Sequence, residues 1–169
     1  MKFISSINFN DYLKLNYILT YKNKWVIYIS ILGLLMLLAT GLYYSGLTPW
    51  LYAKDNPPYF QFFFGIFTLI GIPCSVYFSA KRNFKASERL QEEIEYELTN
   101  EKFKLTGSSF SNEMTWDKTY KIQELKNWFL IYQNRKVANL IPKRNLSLEQ
   151  TEYLRNLFKT FKNIKLKLK

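Results

Sequence analysis

The spacing of hydrophobic and polar residues changes character twice along this chain. From Trp25 to Ala53 no residue is charged, and the first part, Trp25 to Tyr44, reads WVIYISILGLLMLLATGLYY. As a helix that run is about 30 Å long, which matches the hydrocarbon core of a bilayer. A second uncharged run, Tyr59 to Ala80, reads YFQFFFGIFTLIGIPCSVYFSA. It is long enough to cross with some tilt. A helix on the surface of a soluble core keeps a polar face, whereas Ser, Thr and Gln here are scattered without helical period. Both runs therefore predict membrane spans. Trp25, Tyr28, Tyr43, Tyr44, Trp50 and Tyr52 gather about the ends of the first, and Tyr59 and Tyr77 about those of the second. Amphipathic rings prefer that depth. The first run reads as an uncleaved anchor, because residues 1–24 precede it and no A-x-A site follows.

After Ala80 the period shortens to two. Residues 81–89 are mostly basic, and the acidic stretch after them reads as a helical or extended connector. Ile94, Tyr96 and Leu98 alternate with glutamates, Thr99-Asn100-Glu101 is a turn, and Phe103 and Leu105 resume the alternation. Gly107 breaks it. Phe110 to Trp116, Tyr120 to Ile122, Trp128 to Tyr132 and Val137 to Ile141 are further extended runs with turns between them. This spacing predicts an antiparallel meander of five or six strands that ends at Pro142. Ser147 with Gln150 three places on is a capping-box pattern, and Leu154, Leu157, Phe158 and Phe161 form one apolar stripe. That helix is expected to close the open face of the sheet. The stretch from Lys2 to Phe9 is expected to add a strand.

The predicted architecture is an α+β membrane protein. It has an N-terminal segment (1–24), a transmembrane hairpin (25–80, spans 25–44 and 59–80), a connector (81–93) and a β domain with a basic tail (94–169). A meander covered by one amphipathic helix resembles a pleckstrin-homology-like (PH-like) partial barrel. Lys2, Lys14, Lys22 and Lys24 precede the first span, Lys54 alone lies between the spans, and Lys81, Arg82, Lys85 and Arg89 follow the second. By the positive-inside rule both termini face the cytoplasm. Thr48-Pro49 and Asn56-Pro57-Pro58 then punctuate a short outer turn.

Composition narrows the chemistry. The 169 residues include no His and one Cys, and the net charge is +11. Histidine-based triads, Cys-His dyads, intrachain disulfides and the usual structural zinc sites are excluded by counting. The acids Glu92, Glu93, Glu95 and Glu97 lack a second carboxylate cluster and are expected to pair with Lys102 or Lys104 across a hairpin. No enzyme activity, cofactor or metal is expected. Neither span carries an Asp, Glu, Lys or Arg, which argues against a channel or transporter formed by this chain alone. Pro73 predicts a kink in the second span. Gly71, Ser75 and Ser79 form a small-residue series suited to close helix packing, within the chain or in a homo-oligomer. Cys74 lies in the same span, where a thiol is inert unless palmitoylated or exposed. The basic charge is met by topology and leaflet attraction, and no nucleic-acid-binding motif is present.

Two apolar runs followed by IEYELTNEKFKL, MTW at 114–116, NWFLIYQNRKVANLIPKRNLS and a closing helix resemble the YcxB-like family of bacterial membrane proteins. Asn10-Asp11-Tyr12 and Asn16-Tyr17 are similar to that family's opening segment. Trp116 and Ile141-Pro142-Lys143-Arg144 carry most of the likeness. The family usually has an apolar residue three places after the tryptophan, and here that residue is Thr119. The resemblance implies a PH-like cytoplasmic domain at the bacterial inner membrane, and no settled activity.

Three features are candidates for function. Lys143 and Arg144, just before a helix start, suit an anionic headgroup or phosphate, or form a solvated basic turn. Lys162, Lys165, Lys167 and Lys169 make a polybasic end attracted to anionic lipid. There Ile164, Leu166 and Leu168 either dip into the interface, pair as a strand or fray. Trp116, Trp128 and Phe129 read as core aromatics or as an anchor for a protein partner. The expected role is a membrane-anchored interaction or regulatory module that binds anionic lipid or a protein. The alternatives are an immunity protein against a membrane-directed toxin and an accessory subunit of a transport assembly.

Overall fold

The computed structural model describes residues 1–48, 57–135 and 137–168. Trp50, Tyr52, Pro49, Lys54, Asn56 and Lys169, invoked above, lie outside the described residues. The chain divides into two compact units, Met1–Asn8 with Ser87–Lys169, and Phe9–Ala86.

The helical unit holds α1 (Phe9–Tyr21), α2 (Lys24–Tyr44), α3 (Tyr59–Ile66) and α4 (Ile72–Ala86), with a π turn, Phe67–Gly71, joining the last two. Asn23 caps α2 by accepting the Trp25 N–H at 3.1 Å. Lys24–Tyr44 and the continuous Tyr59–Ala86 are long and apolar enough to cross a membrane. Their large side chains point outward in all directions; Leu35 is 56% exposed, Phe63 66% and Phe78 65%. Pro73 explains the π turn. It has no N–H for the carbonyl four residues back, and its ring would press on that carbonyl. The backbone widens instead, and the Ile72 N–H bonds to the Phe67 carbonyl. The expected kink site is thus a π turn just upstream of the proline.

Helix α1 lies within the segment 1–24, for which no helix was expected. It packs along α4, with Leu15 buried, Phe9 edge-on to Tyr77 and Phe84 at 5.9 and 5.8 Å, and the Tyr17 hydroxyl donating to the Pro73 carbonyl at 3.1 Å. The α2–α3 approach is closest at two glycines. A Cβ on Gly33 would meet Thr68, and one on Gly65 would meet Leu37 and, at 2.7 Å, the Gly33 carbonyl oxygen.

The β unit contains two four-stranded sheets and no closed barrel among the described residues. The first runs in the order β1 (Lys2–Ser6), β2 (Glu93–Leu98), β3 (Lys102–Thr106), β4 (Ser111–Thr115), all antiparallel. The N-terminal strand pairs as expected, with Phe3 opposite Tyr96 and their rings stacked at 4.9 Å. The second runs β7 (Ala138–Pro142), β6 (Trp128–Tyr132), β5 (Lys121–Glu124), β8 (Lys165–Lys167). Its β5–β8 pair is parallel, so the simple antiparallel meander needs correction at the last strand. Pro142 ends an edge strand, where its missing donor costs least. A short helix, α5 (Glu88–Gln91), precedes β2.

Alternate residues of both sheets meet in one core: Phe3, Tyr96, Phe103 and Leu105 from the first, Ile122, Phe129, Ile131 and Ile141 from the second. Helix α6 (Leu148–Lys159) adds Leu154, Leu157 and Phe158 to it. Its N-terminus has the expected capping box, with bonds of 3.0 and 2.9 Å between Ser147 and Gln150. Trp116, on a 3-10 turn (Trp116–Lys118), joins Phe103 at 4.8 Å, Phe161 at 4.7 Å and Phe158 at 5.9 Å.

Substitution at the helix contact has a directional consequence. Gly33→Ala is expected to destabilise the helical unit by about 1–3 kcal/mol in detergent unfolding. Adding Thr68→Ala, which clears the Oγ1 that occupies that space, is expected to recover part of the loss. A Gly33→Ala chain as stable as the parent would show that the contact is loose.

Candidate functional site

The alternation of β5 puts Ile122 and Glu124 on the inner face, where Glu124 is 3% exposed. A carboxylate there requires cations. Lys143, from the turn after β7, donates to Glu124 Oε1 and lies over the Phe129 ring at 4.5 Å. Arg155 of α6 donates to the same oxygen through Nε at 3.0 Å and Nη2 at 2.7 Å. The Glu124 hydrogen bond holds the Arg155 guanidinium above its usual range. One carboxylate thereby ties the sheet, the post-β7 turn and the closing helix together.

The structure gives both residues of the expected anion-binding pair partners within the chain. Lys143 is spent on Glu124, while Arg144 stays exposed and donates to the Ser6 carbonyl at 3.1 Å. Asn145 beside it donates to Ser5 Oγ at 3.0 Å. The turn is a junction to the end of β1. The acidic stretch also differs in detail. Glu97 stands opposite Lys104 but pairs with Lys2 at 3.2 Å. Lys102 pairs with Glu113 at 2.8 Å and holds that carboxyl below its usual range. Glu92 accepts the Ser109 N–H at 3.1 Å.

The basic end is ordered by strand pairing. Ile164 is part of the core and Leu166 and Leu168 pack against it, so these side chains serve the β unit's interior. Lys165 and Lys167 take the opposite face of β8, both exposed, and Lys162 is exposed on the turn before it. Lys165 stands directly across from Lys121, and Lys167 across from Gln123. Lys121 is half-buried, with Nζ 3.1 Å from Gln123 Oε1 and 4.0 Å from the centre of the Tyr132 ring. Burial pulls the Lys121 ammonium below its usual range, and Lys167 and Lys165 add to the effect. Gly71, Ser75 and Ser79 lie on the π turn and α4, with the two serines exposed; the close α2–α3 approach is at Gly33, Gly65 and Thr68 instead. Trp116, Trp128 and Phe129 are all buried.

Residues 98–158 match the YcxB-like protein family. No curated protein and no solved structure matches the chain significantly. The YcxB-like segment runs from the last residue of β2 into α6. It contains Trp116, Glu124, Lys143 and Arg155, and leaves out the apolar helices, β1 and β8. Its departure at Thr119 has a structural meaning. Thr119 is 6% exposed, and its Oγ1 is buried without a hydrogen-bond partner. An apolar side chain suits that space better, as the likeness to the family implied.

Glu124 was the residue that sequence reasoning missed. The signal was present: a charged residue at an inward position of an alternating strand, two places after Ile122. Lys121 was missed as well, because its neighbours Lys165 and Lys167 are distant in sequence.

Two outcomes follow. Glu124→Ala leaves Lys143 and Arg155 without their carboxylate and is expected to cost roughly 3 kcal/mol in denaturant unfolding. Thr119→Val removes a buried hydroxyl at nearly constant volume and is expected to stabilise by about 1 kcal/mol. A loss of stability there would mean the hydroxyl has a partner.

Proposed function

We propose that this chain is a membrane-anchored, non-enzymatic interaction module. Its apolar hairpin crosses the bacterial inner membrane twice, and its PH-like β unit works at the inner leaflet against anionic lipid headgroups. The observation that carries this reading is the outward apolar surface of residues 25–44 and 59–80, which carries no charged side chain to offer water. The pairing of β1 with β2 supports the hairpin topology. The segments just before α1 and just after α5 are in one sheet, so they share one side of the membrane and the number of crossings is even. The distribution of Lys and Arg about the runs favours the cytoplasm as that side. Lipid is favoured over a protein partner because the β unit carries exposed lysines beside one another.

Two measurements on the full chain test the reading. Alkaline carbonate is expected to leave the protein in the membrane pellet. Alkaline phosphatase is expected to be inactive when fused after Lys169 and active when inserted within residues 49–56. Release by carbonate overturns the membrane placement, and the reverse reporter pattern overturns the orientation.

A further inference from the structure

We propose that the outer face of the β5–β8 pair is a binding site for a phosphate-bearing anion, with Lys121, Lys165 and Lys167 as its cations and Tyr132 beside them. This deepens the lipid-contact reading and rests on it for the source of the phosphate, though not for the chemistry of the site. Like charges directly opposite on neighbouring strands destabilise a sheet. The β5–β8 register nevertheless sets Lys165 against Lys121, with Lys167 next along the same face. Several other cations of the β unit do have carboxylate partners, as in Lys2–Glu97, Lys102–Glu113 and the Glu124 cluster. Among the described residues, Lys121, Lys165 and Lys167 have no such carboxylate.

The site is also preorganised. Gln123 and the Tyr132 ring fix the Lys121 ammonium, so it does not swing away from its neighbours. Burial lowers its proton affinity, and Lys167 and Lys165 add to that effect. Lys165 and Lys167 are exposed and, two residues apart on one face, are about 6.5–7 Å apart along the strand. A phosphate with several acceptor oxygens bridges such a spacing and relieves the repulsion. Lysine serves phosphate well as a point charge, without the planar match that arginine offers carboxylates. The ligand is therefore a phosphate group, either free or on a lipid headgroup.

The test uses the full chain. In neutral detergent, acetylation of individual lysines is followed by mass spectrometry with potassium phosphate or with potassium chloride at equal ionic strength. In nanodiscs, the same labelling compares phosphatidylglycerol with phosphatidylcholine. Phosphate or phosphatidylglycerol is expected to slow labelling of Lys165 and Lys167 by roughly threefold or more, with Lys126 unaffected. Protection in detergent identifies free phosphate as sufficient, and protection in nanodiscs alone identifies the headgroup. Lys121→Gln, which keeps the fold's inner face intact, is expected to weaken the protection and to raise the melting temperature without ligand. Absence of selective protection in both arms, or equal protection in Lys121→Gln, overturns the site. The detergent arm does not depend on membrane insertion, so its failure is distinguishable from release by carbonate.

Discussion

The structure depends on one pairing across a long gap in sequence: β1 hydrogen-bonds to β2 with all the apolar helices between them. Phe3 stacks on Tyr96, and the Leu98 N–H reaches the Met1 carbonyl at 2.9 Å, so the strand is joined by both its backbone and its inward side chains. Without β1 the first sheet would expose the edge of β2, and Phe3 would leave the core. The β unit therefore draws on both ends of the chain. Arg144 and Asn145 then secure the end of the same strand through Ser6 and Ser5.

The two units solve the burial problem differently. In the β unit the apolar side chains of two sheets and α6 turn toward one another, and the hydrophobic effect supplies the drive. In the helical unit the bulky side chains turn outward, and the small residues Gly33 and Gly65 meet. Close backbone approach of that kind gains dispersion contacts where apolar surroundings offer no hydrophobic drive between helices. The π turn before Pro73 obeys the same constraint, because the proline's missing donor is absorbed by a shift in bonding register within the helix.

Local periodicity made most elements legible, and long-range register was what it lacked. The apolar runs, the alternations at 94–98 and 128–132, and the Ser147 capping box each follow from neighbours within a few residues. Helix α1 did not stand out, because its apolar positions are interrupted by Asn10, Lys14 and Asn16 and its burial comes from α4. The parallel return of β8 was open, since a three-residue strand carries too little pattern to name its partner. Of the candidate site, the exposed lysines were visible and their company was not. Lys143 read as free charge because Glu124, which also accepts from Arg155, reaches it only through folding.

The basic face and the sealed core are two results of one alternation. In β8, Leu166 faces the core with Ile164 and Leu168 to either side in sequence, so Lys165 and Lys167 have only the outer face left to them. In β5, burial of Ile122 sends Lys121 the same way. A one-residue slip of β8 would bring a lysine to the core and expose Leu166, a cost that locks the register. The repulsion among the three ammoniums is thus held in place by burial on the opposite side of the same strands. An anion held on that face, as proposed, would offset this repulsion. This is why the face suits a ligand that comes and goes while the fold stays as it is.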